Sequence, residues 1–278
     1  TGSNQWHPDS SLGNRQDFLK TGAIRTRFTR KHTYEGKVRL TRKVSVNVPD
    51  GKRVFLEAER ARCLELFVDD RKIPDFTESS LSTPRIFEIT DYLTGDNELT
   101  LVSDNSYPGL PHDEIVYSSA ATDETQTNWN GVVGRLCLRV ENSVFCQAVL
   151  VYPKGRTLSV KIEISAAKPY EGELSLRSDA LKGSVFRRVS VEKGSTTILF
   201  EGLPVADDVR LWDEYEGSLY EMTARLGEKE EKTVTFGIRD FGDNGNGRLA
   251  LNGRTIFLRC ETNCAVFPET GYPPVTVE

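Results

Sequence analysis

The sequence predicts an all-β protein that consists of two consecutive β-sandwiches and a C-terminal hairpin. Apolar residues recur at every second position in many short runs, which is the periodicity of a strand with one buried face. Turn-forming residues such as Pro49-Asp50-Gly51 and Asn252-Gly253 separate these runs. No apolar stripe with the helical period of about 3.6 residues extends beyond roughly two turns. These three observations exclude a mainly helical chain.

Length and composition restrict the classes of function. At 278 residues the chain can form two domains of ordinary size, each with its own core. Its 36 basic and 41 acidic side chains give a formal net charge of −5, which favours neither nucleic acid nor an anionic membrane as a partner. No apolar run approaches the roughly 20 residues of a membrane-spanning helix, and the N-terminus lacks the pattern of a signal peptide.

The five cysteines are predicted to be reduced and structural, because their number is odd and most lie in strand-like apolar runs. This favours a cytoplasmic location, while a secreted or periplasmic protein without its signal peptide stays an alternative. Cys260 and Cys264 have the spacing of a metal-binding pair, but neither a second pair nor a nearby histidine completes four ligands. The sequence therefore predicts no metal site and no cofactor.

The first predicted sandwich comprises residues 1–153. Three apolar series with strand spacing indicate it: Val38, Leu40, Val44, Val46 and Val48; Val54, Leu56 and Ala58; Leu64, Leu66 and Val68. Arg42 interrupts the first series, either at a β-bulge or because that end of the sheet faces solvent, and the bulge is the favoured interpretation. A further strand after Pro84 leads into a short turn that ends at Leu93.

The second predicted sandwich comprises residues 154–238. Alternating apolar pairs and quartets mark its strands: Leu158, Val160, Ile162 and Ile164; Leu174 and Leu176; Val189 and Val191; Ile198 and Phe200; Tyr220, Met222, Ala224 and Leu226. Seven or so short strands in a stretch of this length fit an immunoglobulin-like sandwich. The charged residues 228–232 are predicted to form a solvated hairpin tip.

The string RLALNGRTIFLRCETN, residues 248–263, predicts a β-hairpin. Leu249 and Leu251 alternate with polar neighbours, Asn252-Gly253 supplies two turn residues that adopt positive φ, and the alternation resumes afterwards at Ile256 and Leu258.

Three segments resemble the family 2 glycoside hydrolases. Phe236-Gly-Ile-Arg239 and the hairpin resemble the segment that joins the immunoglobulin-like domain of these enzymes to the first strand of their barrel. RIFEITDYLTGDNELTLVSDNS, residues 85–106, is similar to a signature of their sugar-binding jelly-roll domain. Residues 209–226 contain Trp212, Leu219 and Tyr220 of a third family segment, whose prolines are absent here.

The resemblance implies a jelly-roll, galactose-binding-like sandwich at 1–153, an immunoglobulin-like sandwich at 154–238, and the start of a truncated (β/α)8 barrel at 239–278. A complete barrel of about 250 residues would not fit after two sandwiches. The intact enzyme, of β-galactosidase or β-glucuronidase type, would hydrolyse β-glycosides with retention through two carboxylates about 5 Å apart. Both catalytic glutamates of the family fall beyond residue 278, so this chain alone is expected to be inactive.

Residues 103–131 form the longest stretch without strand periodicity and exceed the length of an ordinary turn. Their aromatic residues, Tyr107 among them, favour a packed segment. Their carboxylates and amides, which include Asn105 and Asn130, suit the hydroxyl groups of a sugar, and an indole can stack on a pyranose ring.

In the family, a loop in the corresponding place reaches the substrate site. The resemblance therefore implies sugar contacts from Asp123, Glu124, Asn128 and Trp129. The alternative is that Trp129 is a core anchor and that the polar residues cap turns.

Three further candidates alternate on the predicted first barrel strand, namely Arg259, Glu261 and Asn263. Residues at the carboxyl end of such a strand can face bound substrate. The resemblance places the catalytic glutamates elsewhere, so Glu261 is a candidate for binding and not for catalysis. Motifs of other hydrolases, such as Gly-x-Ser-x-Gly or His-Glu-x-x-His, do not occur.

The sequence thus favours the non-catalytic N-terminal region of a retaining β-glycosidase. In this hypothesis the chain supports the catalytic barrel, contributes one loop to the substrate site, and has carbohydrate and the barrel as partners. The alternative is a stand-alone carbohydrate-binding or adhesion protein made of two sandwiches.

Overall fold

A computed structural model describes residues 34–76, 83–109, 111 and 130–260, with the backbone of two short paired strands, β1 (Trp6–Pro8) and β2 (Phe28–Arg30). Within the described residues, one compact unit ends at Val140 and a second runs from Glu141 to Cys260. Strands dominate both units, which confirms the all-β prediction. No described helix is long and apolar enough to cross a bilayer.

The first unit is a sandwich of two sheets. Its strands are β3 (Lys37–Val46), β4 (Lys52–Ala58), β5 (Cys63–Val68), β6 (Arg71–Ile73), β7 (Arg85–Glu88), β8 (Gly95–Asp104) and β9 (Leu136–Asn142). One sheet has the order β3-β8-β5-β6 and the other the order β7-β4-β9. The turn predicted to end at Leu93 is a 3-10 turn, Thr90–Tyr92, after which Leu93 is extended.

The core of the first unit confirms the predicted alternation in β4 and β5. All six predicted inward residues are buried: Val54, Leu56, Ala58, Leu64, Leu66 and Val68. They pack together with Phe87 of β7 and Leu101 of β8 in one hydrophobic cluster. The opposite face of β4 is buried as well, and it carries Arg53, Phe55 and Glu57.

The predicted β-bulge at Arg42 is wrong. The register between β3 and β8 is unbroken from Lys37 opposite Asp104 to Val46 opposite Gly95. Arg42 is exposed because the sandwich is open beside it, where Leu40 of β3 and Leu136 of β9 are 41% and 50% exposed. The other interpretation, that this end of the sheet faces solvent, is the correct one.

The second unit is a seven-stranded sandwich. Its strands are β10 (Val144–Lys154), β11 (Thr157–Ala166), β12 (Tyr170–Arg177), β13 (Val185–Val191), β14 (Gly194–Pro204), β15 (Tyr220–Leu226) and β16 (Glu230–Phe236). Antiparallel pairing gives one sheet of order β10-β11-β14 and another of order β13-β12-β15-β16. The strand count and the division into three and four match the predicted immunoglobulin-like sandwich.

The two units divide between Val140 and Glu141, earlier than the predicted boundary at residue 153. The reason is β10, which pairs with β11 from Val144 opposite Ala166 to Lys154 opposite Thr157 and so joins the second sandwich. A period-two pattern identifies a strand, but it does not show which sheet the strand enters.

The C-terminal part of the described chain forms a three-stranded meander. It consists of β17 (Phe241–Asp243), β18 (Leu249–Leu251) and β19 (Arg254–Thr255) in that order. Asn252 and Gly253 have φ values of 52° and 79°, and Leu251 pairs with Arg254, so the predicted two-residue turn is present. Residues 256–260 have no regular structure, so the described strand ends before Ile256 and Leu258.

Candidate functional site

Six of the seven predicted sugar-contacting residues lie outside the described residues, namely Asp123, Glu124, Asn128, Trp129, Glu261 and Asn263. The seventh, Arg259, is exposed and lines a cleft in the second unit. The structure also describes the residues that flank 112–129. These flanking residues and the cleft are the two candidate sites.

The first candidate site is a buried hydrogen-bond cluster centred on Asn105, directly after β8. The side chain of Asn105 is fully buried. Its Oδ1 accepts a hydrogen bond from the backbone N–H of Gly36 at 2.9 Å, and its Nδ2 donates to the carbonyl of Tyr34 at 3.1 Å. Asn105 thereby joins the residues before β3 to the end of β8.

The chain that follows 112–129 enters the same cluster. Asn130 donates through Nδ2 to the carbonyl of Gly36 at 2.7 Å and to Oδ1 of Asn105 at 3.1 Å. The backbone N–H of Gly131 donates to Oγ of the fully buried Ser103 at 3.0 Å. The Asn105 cluster therefore holds both ends of the predicted sugar loop at one place in the first unit.

Two residues that composition suggested as sugar contacts have a different role. Asn105 and Asn130 bind backbone groups and each other, and their amides support the fold around the loop. Tyr107 packs as predicted, since only 1% of it is exposed, and the guanidinium of Arg62 lies 5.8 Å from its ring centroid. The described residues on both sides of 112–129 are therefore held within the first unit.

The outer face of β4 carries two buried charged residues, Arg53 and Glu57, which are paired with residues of opposite charge. Arg53 donates from Nε and from its terminal nitrogen to the two oxygens of Glu88 at 2.7 and 2.6 Å. Glu57, 8% exposed, accepts a hydrogen bond from Arg135 and lies 3.4 Å from Nε of Arg139. Such pairing holds both carboxylates in place, which suits a structural role.

The second candidate site is a cleft of about 720 Å³ in the second unit, which we call the Trp212 cleft. Two of the family-like segments meet at its base. The backbone N–H of Trp212 donates to the carbonyl of Ile238 at 2.8 Å. Gly237 lies against Trp212 so closely that an added Cβ would be 3.0 Å from the Trp212 Cβ.

The hairpin turn attaches to the same base. Asn252 donates through Nδ2 to the carbonyl of Trp212 at 3.0 Å and accepts from the backbone N–H of Asp240 at 2.9 Å. Its own backbone N–H donates to the carbonyl of Asp240 at 2.7 Å. Asn252 thus connects the segment before β15 with the segment after β16, and the predicted turn residue has a second, long-range function.

An ion pair between Arg254 and Glu214 lies at the rim of the Trp212 cleft. Arg254 donates to Glu214 at 2.6 Å and lies 5.4 Å from the ring centroid of Tyr215. This hydrogen bond lowers the pKa of the Glu214 carboxyl and raises the pKa of Arg254. The pKa of Asp213 is also lowered, because its carboxylate accepts backbone N–H groups from Glu216 and Tyr215. Both carboxylates are therefore anionic near neutral pH.

Within the described ranges, no group of three or more histidine, cysteine, aspartate or glutamate residues could hold a metal ion. The described cysteines, Cys63, Cys137, Cys146 and Cys260, are free thiols. Cys146 is buried, and this burial raises the pKa of its thiol to about 12.

Comparison with protein-family models and with curated proteins gives no match. Solved structures do match. A GH2 β-galacturonidase from Eisenbergiella tayi superimposes with a TM-score of 0.62 and 17% identity over 80% of this chain. A β-glucuronidase from Bacteroides uniformis gives 0.62 and 18% over 80%, and a putative β-galactosidase from Bacteroides fragilis gives 0.61 and 18% over 81%. The chain has the fold of family 2 glycoside hydrolase sandwiches.

The matched region is a part of each solved glycoside hydrolase. The chain spans 38% of the β-galacturonidase, 28% of the β-glucuronidase and 36% of the β-galactosidase. The resemblance to family 2 that the three sequence segments indicated is confirmed at the level of the fold. At identities below 20% the likeness concerns the arrangement of strands. The Asn105 cluster and the Trp212 cleft are described from this chain alone.

The Trp212 cleft was not predicted as a site from the sequence, although one of its lining residues, Arg259, was among the predicted sugar contacts. Trp212 and Arg239 were part of the family-like segments, which is the one signal that could have indicated it. Tyr215, which is 80% exposed, lies outside any period-two run. Without a period, the sequence does not distinguish an exposed aromatic residue from a buried one.

Proposed function

We propose that this chain is the non-catalytic N-terminal region of a retaining β-glycosidase. In this proposal its two sandwiches support a catalytic (β/α)8 domain, and residues within 112–129 contact the sugar. The single observation that carries the proposal is the fold likeness to GH2 enzymes over 80% of the chain, with a TM-score of 0.62.

A carbohydrate ligand is supported by two further observations. One matched structure is a GH2 β-galacturonidase bound to galacturonate. In this chain, the Asn105 cluster holds both ends of the segment that contains Asp123, Glu124, Asn128 and Trp129. Because both ends of the segment are held in place, the segment loses less conformational entropy when it binds a ligand. We therefore keep these four residues, with Arg259, Glu261 and Asn263, as the proposed sugar-contacting set.

The first experiment compares the 278-residue chain with the longer polypeptide that the proposal expects its gene to encode. Both are assayed with 4-nitrophenyl β-galactoside, β-glucuronide and β-galacturonide. The proposal expects hydrolysis of at least one substrate by the longer polypeptide and none by the chain alone. An open reading frame that stops after residue 278, or a longer product without activity on any β-glycoside, would contradict it.

The second experiment tests the loop. Asn128→Ala and Trp129→Ala in the longer polypeptide should each lower kcat/KM at least tenfold, whereas Thr122→Ala in the same segment serves as the matched control. Unchanged kcat/KM together with an unchanged Tm for both variants would remove the loop from the substrate site. Titration of the 278-residue chain with galactose, glucuronate and mannose completes the test, since a Kd below about 1 mM, roughly −4 kcal/mol, would favour a stand-alone carbohydrate-binding protein.

A further inference from the structure

Asparagine followed by glycine occurs four times in the sequence, at Asn130, Asn244, Asn246 and Asn252. Asparagine is chemically labile, and it is most labile before glycine, because no Cβ hinders the backbone nitrogen of the next residue. That nitrogen can attack the side-chain carbonyl carbon and expel ammonia. The attack requires that the nitrogen and the carbon approach each other closely, so hydrogen bonds that hold either group slow it.

Hydrogen bonds to distant parts of the chain hold two of the four side chains. Asn130 belongs to the Asn105 cluster, in which its Nδ2 makes two hydrogen bonds, and the backbone nitrogen of Gly131 is itself a donor there. The amide of Asn252 is held at both ends, since Nδ2 donates to the carbonyl of Trp212 at 3.0 Å and Oδ1 accepts a backbone N–H at 2.9 Å. Neither side chain is free to rotate towards the nitrogen that follows it.

Asn244 is also held, although it lies in the loop between β17 and β18. Its Nδ2 donates to Oγ1 of Thr255 at 2.9 Å, and its Oδ1 accepts the backbone N–H of Asn246 at 3.0 Å. The attacking nitrogen is engaged as well, since the N–H of Gly245 donates to the carboxylate of Asp243. The neighbouring negative charge opposes the loss of a proton from this N–H, and the attack requires that loss.

Asn246 differs from the other three. It is exposed, and its side-chain amide makes no hydrogen bond within the described chain. The backbone N–H of Gly247, which is also exposed, makes no hydrogen bond to any described residue. Both the attacking nitrogen and the carbon that it attacks are therefore unrestrained at this step of the chain.

We propose that Asn246-Gly247 is a site of spontaneous deamidation. The nitrogen of Gly247 loses its proton to hydroxide and forms a bond to Cγ of Asn246, and the bond from Cγ to Nδ2 breaks as Nδ2 takes up a proton and leaves as ammonia. Water then opens the cyclic imide, which gives aspartate on one side and isoaspartate on the other. The net reaction consumes one water and releases one ammonia. This chemistry is independent of the proposed glycosidase function.

Deamidation would change both the charge and the backbone of the loop. The new carboxylate is ionised at neutral pH and adds one negative charge to the formal net charge of −5, which gives −6. Isoaspartate also carries the main chain through the former side chain and lengthens it by one methylene group. The hydrogen bond that closes the loop, from the N–H of Asn244 to the carbonyl of Arg248 at 2.9 Å, should then open more often.

The experiment follows the 278-residue chain during incubation at pH 7 and at pH 8. Peptide mapping with tandem mass spectrometry measures conversion at each asparagine, and a protein isoaspartate methyltransferase with radiolabelled S-adenosylmethionine measures the isoaspartate formed. Conversion at Asn246 should be at least tenfold faster than at the other three. Its rate should rise about tenfold from pH 7 to pH 8, because the attacking nitrogen must first lose a proton.

The chain unfolded in urea is the reference state. Unfolding removes the hydrogen bonds that hold the other three asparagines, so all four steps should then react at similar rates. Selective conversion of Asn246 that persists in urea would overturn the structural basis of the proposal, because local sequence would then determine the rate.

Two kinds of variant test the named groups. Asp243→Ala combined with Thr255→Val releases Asn244 and should speed its conversion in the folded chain at least tenfold. Asn246→Gln is the matched control, because its longer side chain would have to form a six-membered ring, which forms far more slowly. Hydrogen exchange at the amide of Asn244 should accelerate during incubation of the parent chain and stay constant in Asn246→Gln.

Two further results would contradict the proposal. One is a folded parent chain in which Asn246 converts no faster than Asn244. The other is an isoaspartate yield in Asn246→Gln that equals the yield in the parent chain.

Discussion

Asn252 donates its side-chain amide to the backbone carbonyl of Trp212, 3.0 Å away and 40 residues earlier in the chain. The two residues belong to different family-like segments of the sequence, one before β15 and one in the turn between β18 and β19. This bond, with the two hydrogen bonds between Asn252 and Asp240, attaches the C-terminal meander to the second sandwich.

Asn252→Ala should lower the free energy of unfolding by about 2–3 kcal/mol. The substitution removes two side-chain hydrogen bonds, each worth about 1 kcal/mol, and places alanine at a φ of 52°, a conformation that costs alanine about 1 kcal/mol more than asparagine. Asn252→Gly removes the same bonds without the backbone cost, so its loss should be smaller. Urea unfolding followed by tryptophan fluorescence measures both, with exposed Asn246→Ala as the control.

Gly237→Ala should destabilise the second unit by about 1–3 kcal/mol, because the new methyl group would lie 3.0 Å from the Trp212 Cβ and force the two segments apart. Gly242→Ala is the matched control, since a Cβ at Gly242 meets nothing within 4 Å. Thermal unfolding measures the difference. A Gly237→Ala protein with the Tm of the Gly242→Ala protein would show that Trp212 tolerates displacement.

Asn105→Ala should cost about 2–3 kcal/mol of stability in the first unit. It leaves the N–H of Gly36 without its 2.9 Å acceptor and deprives Asn130 of one partner, and unsatisfied buried groups cost about 1–3 kcal/mol each. Hydrogen exchange at the amides of Gly36 and Gly131 should accelerate in the same variant. Exposed Asn47→Ala is the control, and unchanged exchange at both glycines would mean that the cluster does not depend on Asn105.

Cys146 should make the stability of the second unit depend on alkaline pH. Burial raises the pKa of this thiol from 9.0 to about 12, so above pH 9 the unfolded chain loses the proton while the folded chain keeps it. The contribution is fully present below pH 9 and is lost as pH rises towards 12, at about 1.4 kcal/mol per pH unit. Cys146→Ala should remove that decline.

The measurement is the free energy of unfolding of the parent chain and of Cys146→Ala at pH 8.0, 9.5 and 10.5. Val149→Ala, a truncation of a buried neighbour on the same strand, should lower stability by a similar amount at every pH. Parallel pH profiles for the parent and Cys146→Ala would exclude Cys146 as the titrating group.

Strands could be predicted from the sequence where burial alone determines the spacing of their apolar residues. Leu158, Val160, Ile162 and Ile164 alternate in the sequence and are fully buried in β11. The turn at Asn252-Gly253 could be predicted because few residue types accept positive φ. In both cases the structure depends on residues that are close together in the sequence.

Features that depend on contacts distant in sequence could not be predicted. Arg53 and Glu57 alternate with apolar residues in β4 as solvent-facing residues would, and yet both are buried, because charged partners neutralise them. The sequence also does not show that β10 belongs to the second sandwich, because this depends on the pairing of β10 with β11. The Trp212 cleft likewise appears only when segments far apart in the chain meet.

The Asn105 cluster has a consequence for protein engineering. The bond from Gly131 to Ser103 at 3.0 Å and the bonds of Asn105 and Asn130 hold the two sides of the loop together, and the residues that make these bonds lie outside 112–129. Loop-closure entropy grows only slowly with length, about 0.6 kcal/mol for each doubling. Segments of different length and composition could be exchanged at this position, as hypervariable loops are exchanged on an antibody framework, to select new ligand specificities.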